Sequence, residues 1–108
     1  MYPIEYILDD RVQTTAEFRR WFGELRGRVA QRRIAARVAR LGSGNHGDWK
    51  MIDRNLFVLR LHFGPGYRVY YCRRGHVHVI LLAGGDKWSQ LRDIARARRL
   101  ARHAEDLA

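Results

Sequence analysis

The run Leu59-Arg60-Leu61-His62-Phe63-Gly64-Pro65-Gly66-Tyr67-Arg68-Val69-Tyr70-Tyr71 constrains the fold more than any other part of this chain. It reads as two short strands joined by a Gly-Pro-Gly turn, since glycine and proline punctuate the chain and the flanking residues alternate. In the first strand Phe57, Leu59, Leu61 and Phe63 take one face, and Arg60 and His62 take the other. In the second, Arg68 alternates with Tyr67 and Val69 and shares its face with Tyr70. An unpaired charge is very costly to bury. Cations in mid-strand therefore predict an exposed sheet face, a concave and positively charged platform for a polyanion.

The remaining elements follow from periodicity. Residues 2–8 read as a strand with Ile4, Tyr6 and Leu8 on one side, ended by Asp9 and Asp10. Thr14 or Thr15 followed by Glu17 starts a helix that carries Phe18, Trp21, Phe22 and Leu25 at helical spacing, and Gly27 breaks it. A second helix spans residues 28–41, with Ala30, Ile34, Val38 and Leu41 as its apolar stripe. Residues 42–47 form a loop, and Asp53-Arg54-Asn55 turns into a strand over 56–63. Strands over 67–73 and 76–83 follow, then Gly84-Gly85-Asp86-Lys87 leaves the sheet and a helix runs over 88–104. The order strand, helix, helix, strand, strand, strand, helix predicts a single α+β domain over residues 1–108. Its sheet should be mainly antiparallel, with the helices packed on one face.

A chain of 108 residues with 46% hydrophobic content suits one domain around one core. The formal charge of +10 favours an anionic partner. Nearly all of the positive charge is arginine, whose planar fork suits phosphate and stacks on bases; lysine occurs only at Lys50 and Lys87. Six arginines and no acid lie between Arg26 and Arg40, with Arg33 and Arg37 on one stripe. That face fits a solvated surface, an RNA contact or an acidic protein partner. Cys72 is the only cysteine, so no intrachain disulfide forms and a reducing cytosol fits. It reads as a packing residue. His76 and His78 share a face, but no clear third ligand joins them, and no metal site is expected. No leader and no apolar run long enough for a membrane helix is visible, which predicts a cytoplasmic protein that does not engage a membrane.

Four segments taken together carry a family resemblance: Asp48-Trp49-Lys50, Leu59-Arg60-Leu61, Phe63-Gly64-Pro65-Gly66-Tyr67-Arg68-Val69-Tyr70-Tyr71 and Gly84-Gly85-Asp86-Lys87. In this order and at this length the chain resembles the addiction module killer proteins, HigB-like toxins of the RelE superfamily from bacterial toxin–antitoxin systems. The resemblance implies a compact RelE-like fold and inhibition of translation by mRNA cleavage in the ribosomal A site. It also implies that no metal or other cofactor is used, and that an antitoxin from a neighbouring gene neutralises the toxin. The chain departs from several RelE-like nucleases in having no tyrosine after Lys87 and only His103 as a late histidine. The family's usual small hydroxylated residue after Lys87 is replaced by Trp88.

Metal-free RNA cleavage uses the ribose 2′-hydroxyl as nucleophile. It needs a base for that proton, an acid for the departing 5′-oxygen and cations for the charge building on phosphate. Arg60 and Arg68 are the candidates for phosphate stabilisation, Arg68 the stronger by resemblance. Lys50, just before the strand of Arg60, and Lys87, just after the last strand, are candidates at the rim of the same face. His62 shares the face of Arg60, and an imidazole titrates near neutrality, which suits a base or an acid. Tyr70 is a candidate to stack a base or donate to phosphate, whereas Tyr67 and Tyr71 belong to the core. Trp88 either stacks an A-site base or plugs the helix against the sheet. Arg33 and Arg37 are further RNA-contact candidates. Two other readings stand beside the nuclease: a ParE-like toxin that inhibits DNA gyrase without cutting nucleic acid, and a catalytically degenerate RNA-binding module.

Overall fold

A computed structural model describes residues 11–45, 47–75 and 78–106. The strand expected over residues 2–8 and the position of His76 lie outside them. Among the described residues the order is β1 (Val12–Thr14), α1 (Ala16–Gly23), α2 (Arg28–Gly42), β2 (Trp49–Asp53), β3 (Leu56–Arg60), β4 (Tyr67–Arg74), β5 (His78–Asp86) and α3 (Gln90–Asp106). The strands make one mixed sheet in the order β1-β5-β4-β3-β2. The pairs β2–β3, β3–β4 and β4–β5 are antiparallel, and β1 runs parallel to β5.

Local chemistry sets the element boundaries. Thr15 caps α1, its hydroxyl accepting the Phe18 amide at 3.0 Å and donating to the Leu82 carbonyl at 2.7 Å. Gly27, at φ 85°, separates α1 from α2. Asn55, at φ 50°, closes the β2–β3 turn. Its side-chain amide donates to the Arg73 carbonyl and accepts the Arg73 amide, both at 2.9 Å. The turn is thereby tied to the middle of the sheet.

The helices pack on both faces of the sheet, not on one. On the first face Phe18 and Phe22 of α1 and Ile34, Val38 and Leu41 of α2 meet Phe57, Leu59, Val69, Tyr71 and Leu81. On the second, Ala97 and Ala101 of α3 meet Leu56, Val58, Tyr70, Cys72, Ile80 and Leu82. The physical reason is in the strands, which bury apolar side chains on both faces as sheets in three-layer folds do. The face that carries Arg60 and Arg68 is accordingly roofed by α3 over most of its length. It is not an open platform.

Several elements differ from the sequence reading, which placed no strand over Val12–Thr14. The edge strand β2 extends the sheet beyond β3, β3 ends at Arg60, and β5 continues through Gly84 and Gly85 to Asp86, so that α3 starts at Gln90. Within β5, Leu82 and Ala83 both stand opposite Tyr70 and both enter the α3 layer, a bulge that shifts the alternation by one residue. No helix among the described residues is long and apolar enough to cross a membrane.

Candidate functional site

The open end of the sheet gathers the polar residues. Arg68 on β4 is paired in register with Arg60 on β3 and with Gly85 on β5. It is 9% exposed, and its guanidinium is fixed from below. Nη1 donates to the carbonyls of Gly66 and Tyr67 at 3.0 and 3.1 Å, and Nε donates to Gln90 Oε1 at 3.4 Å. Lys87 reaches the same place from the turn after β5. A Cβ on Gly66 would stand 3.3 Å from Lys87 Cδ and 3.5 Å from Arg68 Nη1, so the two cations flank one glycine. Among the described residues neither Arg68 nor Lys87 forms an ion pair.

The turn that carries Lys87 is rigidly held. The Asp86 carboxylate accepts the amides of Trp88 and Ser89 at 2.8 and 3.1 Å, as an N-terminal helix cap does. Ser89 Oγ donates to the buried Asp93 carboxylate, and Gln90 Nε2 donates to the Lys87 carbonyl at 2.9 Å. Two glycines make this possible. A Cβ on Gly84 would lie 2.1 Å from the Trp21 ring, and one on Gly85 would lie 1.8 Å from Asp93 Oδ2. The Gly-Gly-Asp-Lys segment therefore admits an indole on one face and a carboxylate on the other, then presents its lysine.

Trp88 is 82% exposed and does not plug α3 against the sheet. Its ring centroid lies 5.1 Å from the Lys87 ammonium, within cation–π range. Tyr70 shares the face of Arg68 but is fully buried under α3, so it cannot present a stacking surface to RNA. Its role is in the core. Burial pushes its hydroxyl up to about 12, with the nearby Asp93 adding to the shift.

Arg60 is less free than its sequence setting suggested. Its Nη2 and Nε donate to Asp48 Oδ1 at 2.7 and 3.1 Å, and His62 Nε2 bonds the other carboxylate oxygen. The hydrogen bond from His62, and after it those from Arg60, hold the Asp48 carboxyl below the usual carboxylate range. Asp48 thus buttresses an exposed imidazole, the arrangement that fixes a histidine for proton transfer. Lys50 is exposed on β2 opposite Val58, one strand and two residues away from Arg60. The structure does not bring it against Arg68. Arg33 and Arg37 lie behind the hairpin. The Arg33 guanidinium stands 3.9 Å from the Phe63 ring centroid, and Arg37 Nη1 donates to the Arg60 carbonyl at 3.3 Å.

Sequence reasoning passed over Asp48 as a partner for two cations, Gln90 as a support for Arg68, and the Ser89–Asp93 contact. Only the last had a local signal, a serine and an aspartate one helical turn apart.

The molecule is thus a small α+β domain with two unpaired cations and an exposed indole at one end of a mixed sheet. It belongs to the same family as an uncharacterized protein of Haemophilus influenzae, to which it is 44% identical over 91 residues, 84% of this chain and 92% of the relative. No family model and no solved structure matches the chain.

Proposed function

We propose that the protein is the toxin of a type II toxin–antitoxin system with a RelE-like fold, acting in the cytoplasm as a metal-free, ribosome-dependent mRNA endonuclease. The observation that supports this reading most is the convergence of Arg68 and Lys87 on Gly66 beside the exposed Trp88. Two cations without carboxylate partners suit the non-bridging oxygens of a phosphodiester. An exposed indole next to them suits a stacked base.

In this mechanism His62, oriented by Asp48, takes the proton of the ribose 2′-hydroxyl. That oxygen attacks the adjacent phosphorus while Arg68 and Lys87 hold the charge that accumulates on the phosphate oxygens. The bond to the 5′-oxygen breaks, and that oxygen takes a proton from solvent water and leaves as a hydroxyl. The products are a 2′,3′-cyclic phosphate and a free 5′-hydroxyl. An antitoxin neutralises the protein by covering the basic end of the sheet.

One observation favours a second reading. Leu91, 90% exposed, stands in the first turn of α3, three residues after the exposed Trp88, and exposed apolar side chains suit a protein target, as a gyrase-inhibiting toxin would require. Primer extension on a defined message, with and without ribosomes, separates the two. Codon-phased cuts only with ribosomes, reduced about 100-fold by Lys87→Ala, are the expected result. Lys87 is exposed, so this variant folds. Growth arrest without any cuts would overturn the nuclease and favour the protein target.

A further inference from the structure

A second basic site lies behind the hairpin, on the side of α2. A cleft of about 360 Å³ is lined by Arg33, Arg37 and Arg40, from successive turns of α2, and by His62 and Phe63. Its cations are short of acceptors. Arg33 is spread over the Phe63 ring, and among the described residues neither it nor Arg40 forms an ion pair. Arg37 spends one nitrogen on the Arg60 carbonyl, and its Nη2 is buried without a hydrogen-bond partner. A Cβ on Gly47 would stand 2.5 Å from that nitrogen, so the neighbouring loop closes over it. Burial, and then the charge of Arg40, lower the Arg37 pKa. A buried donor without an acceptor is a cost that native proteins rarely leave standing.

We propose that this cleft is a second phosphate-binding subsite, taking a backbone phosphate of the same RNA strand whose scissile phosphate sits at Arg68 and Lys87. The inference rests on the nuclease reading and adds the path of the substrate. Three guanidiniums in one small cleft match the charge of a polyphosphate chain better than a single carboxylate, and the exposed face of Phe63 is already covered by Arg33. The two sites adjoin at the end of β3. Arg37 bonds the backbone of Arg60, whose Cα is paired with that of Arg68, and His62 lines the cleft while bonding the carboxylate that holds Arg60. On this path an RNA strand rounds the end of β3 at His62 to pass from the α3 face to the α2 face.

The test is fluorescence anisotropy with a short 2′-O-methyl oligoribonucleotide, which binds but lacks the nucleophile, across a salt series. The proteins are the wild type, Arg37→Gln, the exposed pair Arg33→Gln/Arg40→Gln, and Lys87→Gln. The expected result is about tenfold weaker binding for Arg37→Gln, from loss of a hydrogen bond to a charged group. The salt slope should fall by about 0.7 per lost phosphate contact, and the Lys87→Gln effect should come on top of it. The paired variant, altered only at exposed positions, should show the same loss with an unchanged melting temperature. Unaltered affinity and slope in Arg37→Gln and in the pair, while Lys87→Gln binds weakly and ribosomal cutting persists in the α2 variants, would overturn the subsite and leave the nuclease standing. Loss of ribosomal cutting as an activity with Arg37-dependent RNA binding intact would do the reverse. Tighter Arg37-dependent binding of a poly-glutamate peptide than of the oligonucleotide would overturn the phosphate assignment and make the cleft a dock for an acidic protein.

Discussion

Tyr70 carries its hydroxyl into the layer under α3, where it meets no hydrogen-bond partner among the described residues. Its folded-state pKa, raised to about 12, has a definite consequence. An unfolded chain releases this proton near pH 10 while the folded chain keeps it, so stability falls between about pH 10 and pH 12 by roughly 2–3 kcal/mol. Burial also pushes the Tyr71 hydroxyl up, so tyrosinate absorbance followed through an alkaline titration should show a late-ionising component that shrinks in Tyr70→Phe, together with that part of the stability loss, while the Tyr71 part remains. Asp48 acts at the opposite end of the scale. Its carboxyl is depressed, so its contribution is present above the unfolded value near 4 and is lost as pH falls through the folded value. Acid unfolding of Asp48→Asn should lack this component, worth under about 1 kcal/mol because the pair is exposed to screening solvent. Alternation made the face of Tyr70 legible but not what covers that face. The signal for a cover was there: Leu56, Val58 and Cys72 share the face of Arg60 and Arg68, and a solvent-facing strand would not repeat apolar residues at those positions.

At the scale of elements, β5 and the start of α3 form one unit. Gly84 and Gly85 are strand residues, and each stands where a side chain would strike a packed group. Gly85→Ala should destabilise the protein by about 1–3 kcal/mol, from the overpacking against Asp93. Denaturant titration measures that loss, and Ser89→Ala, which only removes a hydroxyl from the same cluster, should cost about 1 kcal/mol. The sequence marks the two glycines as the place where the chain leaves the sheet, since glycine ordinarily breaks a strand. Here close approach from both sides is the reason for them, and that is a tertiary fact. The bulge at Leu82 is hidden for the same reason: Val79 through Ala83 is apolar at every position, so no alternation exists to register a shift. The start of α1 was legible to within one residue, at Thr14 or Thr15, because the cap is local chemistry.

Over the whole molecule the formal charge of +10 resolves into separate clusters at the hairpin end, along α2 and along α3. Anions that bind the folded form stabilise it by mass action. Melting temperature should therefore rise with inorganic phosphate at constant ionic strength and stay flat with chloride, and Arg37→Gln should blunt the rise. The order of most elements, the hairpin and the α+β class could be read from periodicity and turn residues. The three-layer arrangement could not, because it depends on which helix crosses which face, and no short-range pattern carries that.

The thinness of the sheet at Gly84 and Gly85 gives the molecule a diaphragm in place of a wall. The indole of Trp21 leans on one side and the carboxylate of Asp93 on the other, with only two peptide units between them. Trp21 also sets its edge against the ring of Tyr67. The first helical layer therefore abuts, through Gly84 and Gly85, the end of the strand that leads into the turn bearing Lys87. The two layers, which meet the sheet from opposite sides, are neighbours beside the turn that bears Lys87.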